Sequence, residues 1–349
     1  MSELARSEAL HRRVRGFVDD VRADDFDDLA CAIAVHQQAV PAMRQLYRAR
    51  GVDPTRLTRA DELLALPTDV FRLRRVATHA SAQDERCFAT SGTTDAARGR
   101  HPLRTTFTYE HAAMAWGRRM LLGGWEAPVR FIGLVAAEHD APESSLSFML
   151  ARFAEALGGD ASFHWDGSQL DTDGVARRIE SASGPVLLAG TSFAFVHWLD
   201  ALPAALPPGS RVMQTGGFKG RSRVVDAGEL RQAIASATQL PVASVVAEYG
   251  MTELASQLYQ PGIVDGTSEI TYRAPHWLRV TAVDPDTLAP LPAGQVGIAR
   301  FVDLANVDSS VAVLTADRVR VTDGGVELLG RMPGATPRGC SLALEELLT

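Results

Sequence analysis

The feature that most constrains the fold is an alternation along the middle of the chain. "VRFIGLVA", "PVLLAG", "RVMQTGG" and "ASVVAEYG" are apolar runs of strand length. Around and between them, "SSLSFMLARFAEALGG", "SFAFVHWLDAL" and stretches near 109–122 and 225–236 carry helical spacing. Parallel strands cannot be joined by a tight turn, and a helix of about 10–15 residues is their usual crossover. The pattern predicts α/β architecture with a parallel-type sheet, in which ligands gather at the carboxyl ends of the strands.

The flanks read differently. Leu10, Val14, Phe17, Val18 and Val21 recur at helical spacing, and Leu29, Ile33 and "VHQQAVPAMRQLYRARG" extend a helical region to Gly51. "LTRADELLAL" adds a short helix. From Trp277 onward, "LRVTAVD", "GQVGIARFVD", "VAVLTA", "RVRVT" and "VELLGR" read as strands separated by turns such as "TDGG". The expected organisation is a helical N-terminal part (1–80), an α/β core (81–275), a β-rich subdomain (276–331) and a short tail (332–349).

A formal net charge of −7 leaves no basic stripe for neutralising phosphates, so a general nucleic-acid partner is not expected. About 18 uninterrupted apolar residues occur nowhere, and the N-terminus has no apolar core of signal type. No membrane span and a cytoplasmic location are the expectations. Cys31, Cys87 and Cys340 lie far apart without CxxC spacing, which disfavours a disulfide framework and a zinc site. Cys31 and Cys87 fall in a helical and a strand-like stretch and read as small packed hydrophobes. Of the 35 basic residues only Lys219 is lysine, through compositional chance or because a compact ammonium is needed there.

One loop is chemically conspicuous. In "CFATSGTTDAARGRH", Thr90, Ser91, Gly92, Thr93 and Thr94 are followed by Arg98, Gly99 and an expected helix, so hydroxyls, backbone N–H groups and a guanidinium could converge on a polyphosphate. It lacks GxxxxGK[ST], and standing alone it would more commonly be a surface turn. "AEYGMTELASQ" places Tyr249, Thr252 and Glu253 beyond a strand. There Glu253 could hold Mg²⁺ bridging phosphates, or simply be a helix-start charge. Asp317 and Arg331 flank a hairpin, and Gly216 and Gly217 in "QTGGFKGR" would let a flat base lie on backbone.

"TSGTTDAARG", "EYGMTE" and "TADRVRVTDGGVELLGR" resemble, in order and spacing, three motifs of the adenylate-forming superfamily: the TSGTTGxPKG phosphate loop, the YGxTE segment, and TGD with a terminal GR. With "PTDVFR", "GTSF", "TGGFKGR" and "RGCSL", the chain is similar to the acyl-protein synthetase (LuxE) branch from about residue 35 to its C-terminus. The resemblance implies ATP-dependent activation of a carboxylic, fatty acid to an acyl-adenylate, with Mg²⁺. Thr90–Thr94, Arg98 and Gly99 would cradle phosphates. Gly216, Gly217, Glu248, Tyr249 and Gly250 would contact the nucleotide, Thr252 the α-phosphate or carboxylate, and Asp317 the ribose with Arg331 beside it. Glu253 would bind the metal. Cys340 matches the thiol that receives the acyl group for delivery to an acyl reductase.

Asp95, Arg98 and Ala316 depart from the motif residues, and the acid at 95 would repel a triphosphate. Only 18 residues follow Arg331, so on this reading a truncated tail stands where the family has a mobile C-terminal domain with its adenylation lysine, a charge that Lys219 would supply. Two alternatives stay open: transfer to coenzyme A or a carrier protein, as in phenylacetate-CoA ligases, and a non-catalytic nucleotide-binding subunit. His101, His111 and His276 are available for proton transfer, although scattered histidines are more often structural.

Overall fold

The computed structural model describes residues 2–91, 98–125, 128–201, 203–216 and 226–332. The chain divides into two compact units, one of Met1–Ala115, Met251–Gln257 and Ala274–Thr349, the other of Trp116–Gly250 and Leu258–Arg273.

The first unit opens with helices α1 (Glu3–Asp19), α2 (Phe26–His36) and α3 (Pro41–Ala49). Ser2 and Asp25 cap α1 and α2 by accepting first-turn N–H groups. The buried face of α1 holds Leu10, Val14, Phe17 and Val18, as the periodicity predicts, together with Ser7 and His11. The helix expected over "LTRADELLAL" is absent: only a 3₁₀ turn forms at Ala60–Glu62. The Glu62 carboxylate captures the N–H groups of Thr58 and Arg59, and the chain then enters strand β1 (Leu66–Pro67), leaving no length for a helix. A single turn, α4 (Val70–Leu73), precedes the hairpin of β2 (Arg86–Ala89) and β3 (Arg100–Leu103). Helix α5 (Phe107–Gly117) then carries the chain into the second unit.

That unit is the parallel sheet the alternation predicts. Strands β4 (Arg130–Leu134), β5 (Ala161–Phe163), β6 (Val186–Thr191), β7 (Arg211–Thr215), β8 (Val245–Tyr249) and β9 (Leu258–Tyr259) are ordered β5-β4-β6-β7-β8-β9, all parallel except the β8–β9 pair. Helices α6 (Ser145–Ala156), α7 (Thr172–Glu180), α8 (Ser192–Asp200) and α9 (Ala227–Thr238) make the crossovers. Ile132, Leu188, Phe195, Val212, Ile234 and Val245 belong to one buried cluster. Strands covered on both faces need no polar alternation, which is why they read as plain apolar runs.

The first unit resumes with β10 (Leu278–Val283), β11 (Val296–Asp303), β12 (Ala312–Thr322) and β13 (Gly325–Arg331) in an antiparallel meander, with β1 added in parallel to β12. "VAVLTA" and "RVRVT" are one strand, not two. A register shift between Asp317 and Val319 breaks the alternation of side chains, so the sequence pattern is interrupted where the strand is not.

Candidate functional site

The β2–β3 hairpin builds the hydroxyl-rich loop. Beyond the Ala89–Arg100 pair, Thr90 N–H donates to the Gly99 carbonyl at 2.9 Å, and Gly99 N–H donates back to Thr90 Oγ1 at 2.8 Å. Arg98 Nε donates to the Thr90 carbonyl at 2.7 Å. The base of the loop is therefore cinched between Thr90 and Gly99, and β3, not the expected helix, follows Gly99. No helix N-terminus stands directly behind Gly99. Gly92, Thr93 and Thr94, with Asp95, lie outside the described residues.

Glu253 meets this loop. A Cβ placed on Gly99 would lie 3.4 Å from Glu253 Oε1 and 3.3 Å from Thr90 Cγ2, so the glycine lets a buried carboxylate approach the closing backbone. One hard oxygen at a phosphate-type loop suits Mg²⁺, which takes one or two carboxylates and completes its shell with phosphates and water. No cluster of three His, Cys, Asp or Glu capable of holding a metal occurs among the described residues.

The turn carrying Thr252 and Glu253 is gripped from inside. His101 Nδ1 lies 2.6 Å from the Thr252 carbonyl, and Asn306 Nδ2 donates to the carbonyls of Glu253 at 2.9 Å and Ser310 at 3.1 Å. Asp303 accepts from Ala255 N–H (2.9 Å), Ser256 Oγ (2.6 Å) and Ala305 N–H (3.1 Å). Burial pushes the Asp303 carboxyl up to about 6 against the pull of those bonds, and pushes the His101 imidazole down to about 4. Sequence reasoning set His101 among structural histidines and missed Asp303 and Asn306. A signal was there: "DLANVDSS" is a polar run between two apolar strands, yet it is buried throughout.

Behind that run lies a hub that sequence reasoning also missed. The Asp308 carboxylate accepts from Ser7 (2.7 Å), His11 (3.0 Å), His36 (3.0 Å), Thr78 (3.0 Å) and Arg104 (3.0 Å). His111 and His276 have structural partners, Asp19 and the Phe17 carbonyl.

Asp317 and Arg331 face each other across the β12–β13 hairpin. The two are register partners, with Arg331 Nε donating to Asp317 Oδ1 at 3.1 Å and the Arg331 side chain exposed. The YGxTE segment is divided: Glu248, Tyr249 and Gly250 belong to the second unit, Thr252 and Glu253 to the first. Glu248 is fully buried and accepts from Thr215 Oγ1; burial pushes its carboxyl up to about 7, the hydrogen bond acting the other way. Gly216 follows β7 at φ +73°, and its carbonyl accepts from Ser192 Oγ at 2.7 Å. Lys219, Gly217 and Cys340 lie outside the described residues. Burial pushes the Cys31 thiol up to about 11, which suppresses its thiolate; Cys87 is half-buried in β2.

Residues 177–349 match the family described as acyl-protein synthetase, LuxE. A long-chain-fatty-acid–luciferin-component ligase of Aliivibrio fischeri is 21% identical over 312 residues, 82% of this chain and 79% of its own. The Vibrio harveyi protein of the same name is 33% identical over 82 residues, 22% of each chain. Among solved structures, 2-hydroxyisobutyryl-CoA ligase in complex with 2-HIB-AMP matches with a TM-score of 0.67 at 14% identity, over 88% of this chain and 68% of that one. ATP-bound MatB from Rhodopseudomonas palustris matches at 0.52 and 16% identity, over 73% of this chain and 49% of its own, so this chain spans about half of MatB. The fold is that of the adenylate-forming enzymes, as the motifs implied. No helix among the described residues is long and apolar enough to cross a membrane.

Proposed function

We propose that this chain, whose residues 177–349 match the LuxE acyl-protein synthetase family, acts as a member of that family, activating a carboxylic acid with ATP and passing the acyl group to a thiol. The observation that carries this reading is the Glu253 carboxylate set against the glycine that closes the hydroxyl-rich loop.

A carboxylate is a poor acyl donor because oxide would have to leave. Its oxygen attacks the α-phosphorus of ATP, the bond between the α and β phosphates breaks, and pyrophosphate departs with that electron pair. The resulting acyl-adenylate has AMP as leaving group. Positioning and charge neutralisation are the protein's share of such a transfer. The Thr90–Thr94 loop with Arg98 would hold the β and γ phosphates, Gly99 giving its own N–H to Thr90 and leaving room for Glu253, and Glu253 would hold the Mg²⁺ that offsets the phosphate charge. Thr252 contacts the α-phosphate or the carboxylate, and Asp317 accepts the ribose hydroxyls beside Arg331. The assignments of Gly216, Gly217, Lys219, Glu248, Tyr249 and Gly250 to the nucleotide rest on motif resemblance alone. In the second step the Cys340 thiolate attacks the acyl carbon, AMP leaves, and a thioester is ready for a partner such as an acyl reductase. The names of the two bacterial ligases support a long-chain fatty acid as substrate.

Labelled acids of graded chain length, offered with ATP and Mg²⁺, test both steps. Wild-type protein should release pyrophosphate and retain a hydroxylamine-sensitive label. Cys340→Ser should release pyrophosphate and retain none. A label that persists in Cys340→Ser places the thioester elsewhere. A product that appears only with coenzyme A replaces the self-acylation step by transfer to that thiol.

A further inference from the structure

His101 is a residue that packing alone does not ask for. It lies on β3 with no exposed surface, its ring edge-on to Phe71 at 5.8 Å between centroids, and its Nε2 has no hydrogen-bond partner among the described residues. A leucine there would bury no unpartnered nitrogen; the imidazole carries that desolvation cost against a single hydrogen bond. That bond runs to the Thr252 carbonyl at 2.6 Å. A carbonyl only accepts, so Nδ1 carries the proton and donates it.

One residue along, Asn306 Nδ2 holds the Glu253 carbonyl at 2.9 Å, and its Oδ1 is likewise unpartnered among the described residues. Two buried side chains, one from β3 and one from the segment after β11, thus grip two successive carbonyls. The peptide unit is planar, so fixing a carbonyl also fixes the N–H on its opposite edge and the Cα that follows. Fixing Thr252 O and Glu253 O therefore sets the direction in which the Glu253 side chain leaves the turn towards Gly99.

We infer that His101, seconded by Asn306, is a positioning residue, whose Nδ1–H bond to the Thr252 carbonyl holds the Thr252–Glu253 turn in the geometry that binds a divalent cation with nucleotide phosphates. The inference rests on the assignment of Glu253 to that cation. It gives His101 no part in the reaction itself, and so differs from proton transfer.

The experiment compares His101→Asn, whose amide nitrogen takes the place of Nδ1, with His101→Gln, which moves the donor outward, and with His101→Leu, which removes it. Calorimetric titration with ATP, with and without Mg²⁺, reads the affinity gained from the cation. That gain should shrink by about tenfold or more in the leucine and glutamine variants, and stay within about threefold of wild type in the asparagine variant. Misplacement by about 1 Å is enough for effects of this size. A leucine variant that keeps the whole Mg²⁺ gain overturns the proposal. So does an asparagine variant as weak as leucine, because ring packing would then be the cause.

Should the leucine variant fail to fold, the asparagine–glutamine contrast stands. A long-range ¹⁵N–¹H spectrum of the unmodified protein also reads the tautomer directly. Nδ1–H is expected at His101, and Nε2–H would overturn the inference. Failure of the ligase reading looks different: the Mg²⁺ effects would appear in a protein that shows no acid-dependent pyrophosphate chemistry.

Discussion

Asp308 in the first unit and Glu248 in the second are both buried carboxyls, and their surroundings drive them in opposite directions. Around Asp308 burial opposes the charge, but hydrogen bonds from His11, His36 and Ser7, with the pull of His11, overcome it and hold the carboxyl well below the usual carboxylate range. Arg104 and Thr78 complete its shell. Glu248 has one hydroxyl donor, Thr215, and burial prevails, pushing it up to about 7. A buried carboxylate stays ionised when several donors surround it and takes up a proton when they do not. The first unit is thus tied together by a charged hub joining α1, α2, the 303–310 segment and the residues flanking the β2–β3 hairpin, whereas the second rests on an apolar parallel sheet.

The harshest way to break this comparison is Asp308→Ala. Removing one partner of a buried charged network costs roughly 3–5 kcal/mol, because the remaining donors are left without an acceptor. Hydrogen exchange resolved along the chain should show protection falling in Met1–Ala115 and Ala274–Thr322 more than in β4–β8. Equal losses in both units would mean that the hub is not local to the first.

The dependence on pH sharpens the contrast. Glu248 has a folded-state pKa raised above its unfolded value near ~4.3, so its contribution to stability is complete below that value and is lost as pH rises through about 7. Asp303 runs the same way through about 6. Asp308, depressed in the fold, contributes above its unfolded value and loses that contribution as pH falls. Between pH 5 and 8 the protection of β7 and β8 should decline, by on the order of 2 kcal/mol, and Glu248→Gln should flatten the decline. A variant with the wild-type slope would remove Glu248 as its source. The smallest effect is expected at Cys87, half-buried at a strand edge of the hairpin. Cys87→Ser should change stability by no more than about 0.5 kcal/mol and leave any acyl label intact, as checked by urea melts and label stoichiometry.

The same contrast governs what could be read from sequence. The parallel sheet was legible because its strands are apolar and its crossovers are amphipathic, both local properties. Helix α7 and the short strands β5 and β9 escaped, the strands having only three and two residues. The motif residues Thr90, Arg98, Glu253, Asp317 and Arg331 were legible as types in order, and the Asp317–Arg331 pairing follows from the hairpin. The hub was not, because Ser7 and Asp308 are 301 residues apart and no local pattern links them. A trace remained in α1, where Ser7 and His11 sit at helical spacing on the face that Leu10 and Val14 bury. Polar residues on a predicted core face call for a polar partner elsewhere. His101 was legible only as a histidine, since the carbonyl it holds lies 151 residues away.

The central claim is that Glu253, beside the loop, serves ATP-dependent acid activation, and isotope exchange between pyrophosphate and ATP tests it most directly. Wild-type protein should exchange label only when Mg²⁺ and a suitable carboxylic acid are present. Glu253→Gln, equal in size but uncharged, should melt as wild type does while exchanging at least about 100-fold more slowly. Folded wild-type protein that exchanges with no fatty, aromatic or amino acid, or a glutamine variant that exchanges at the wild-type rate with the same Mg²⁺ dependence, would contradict the account.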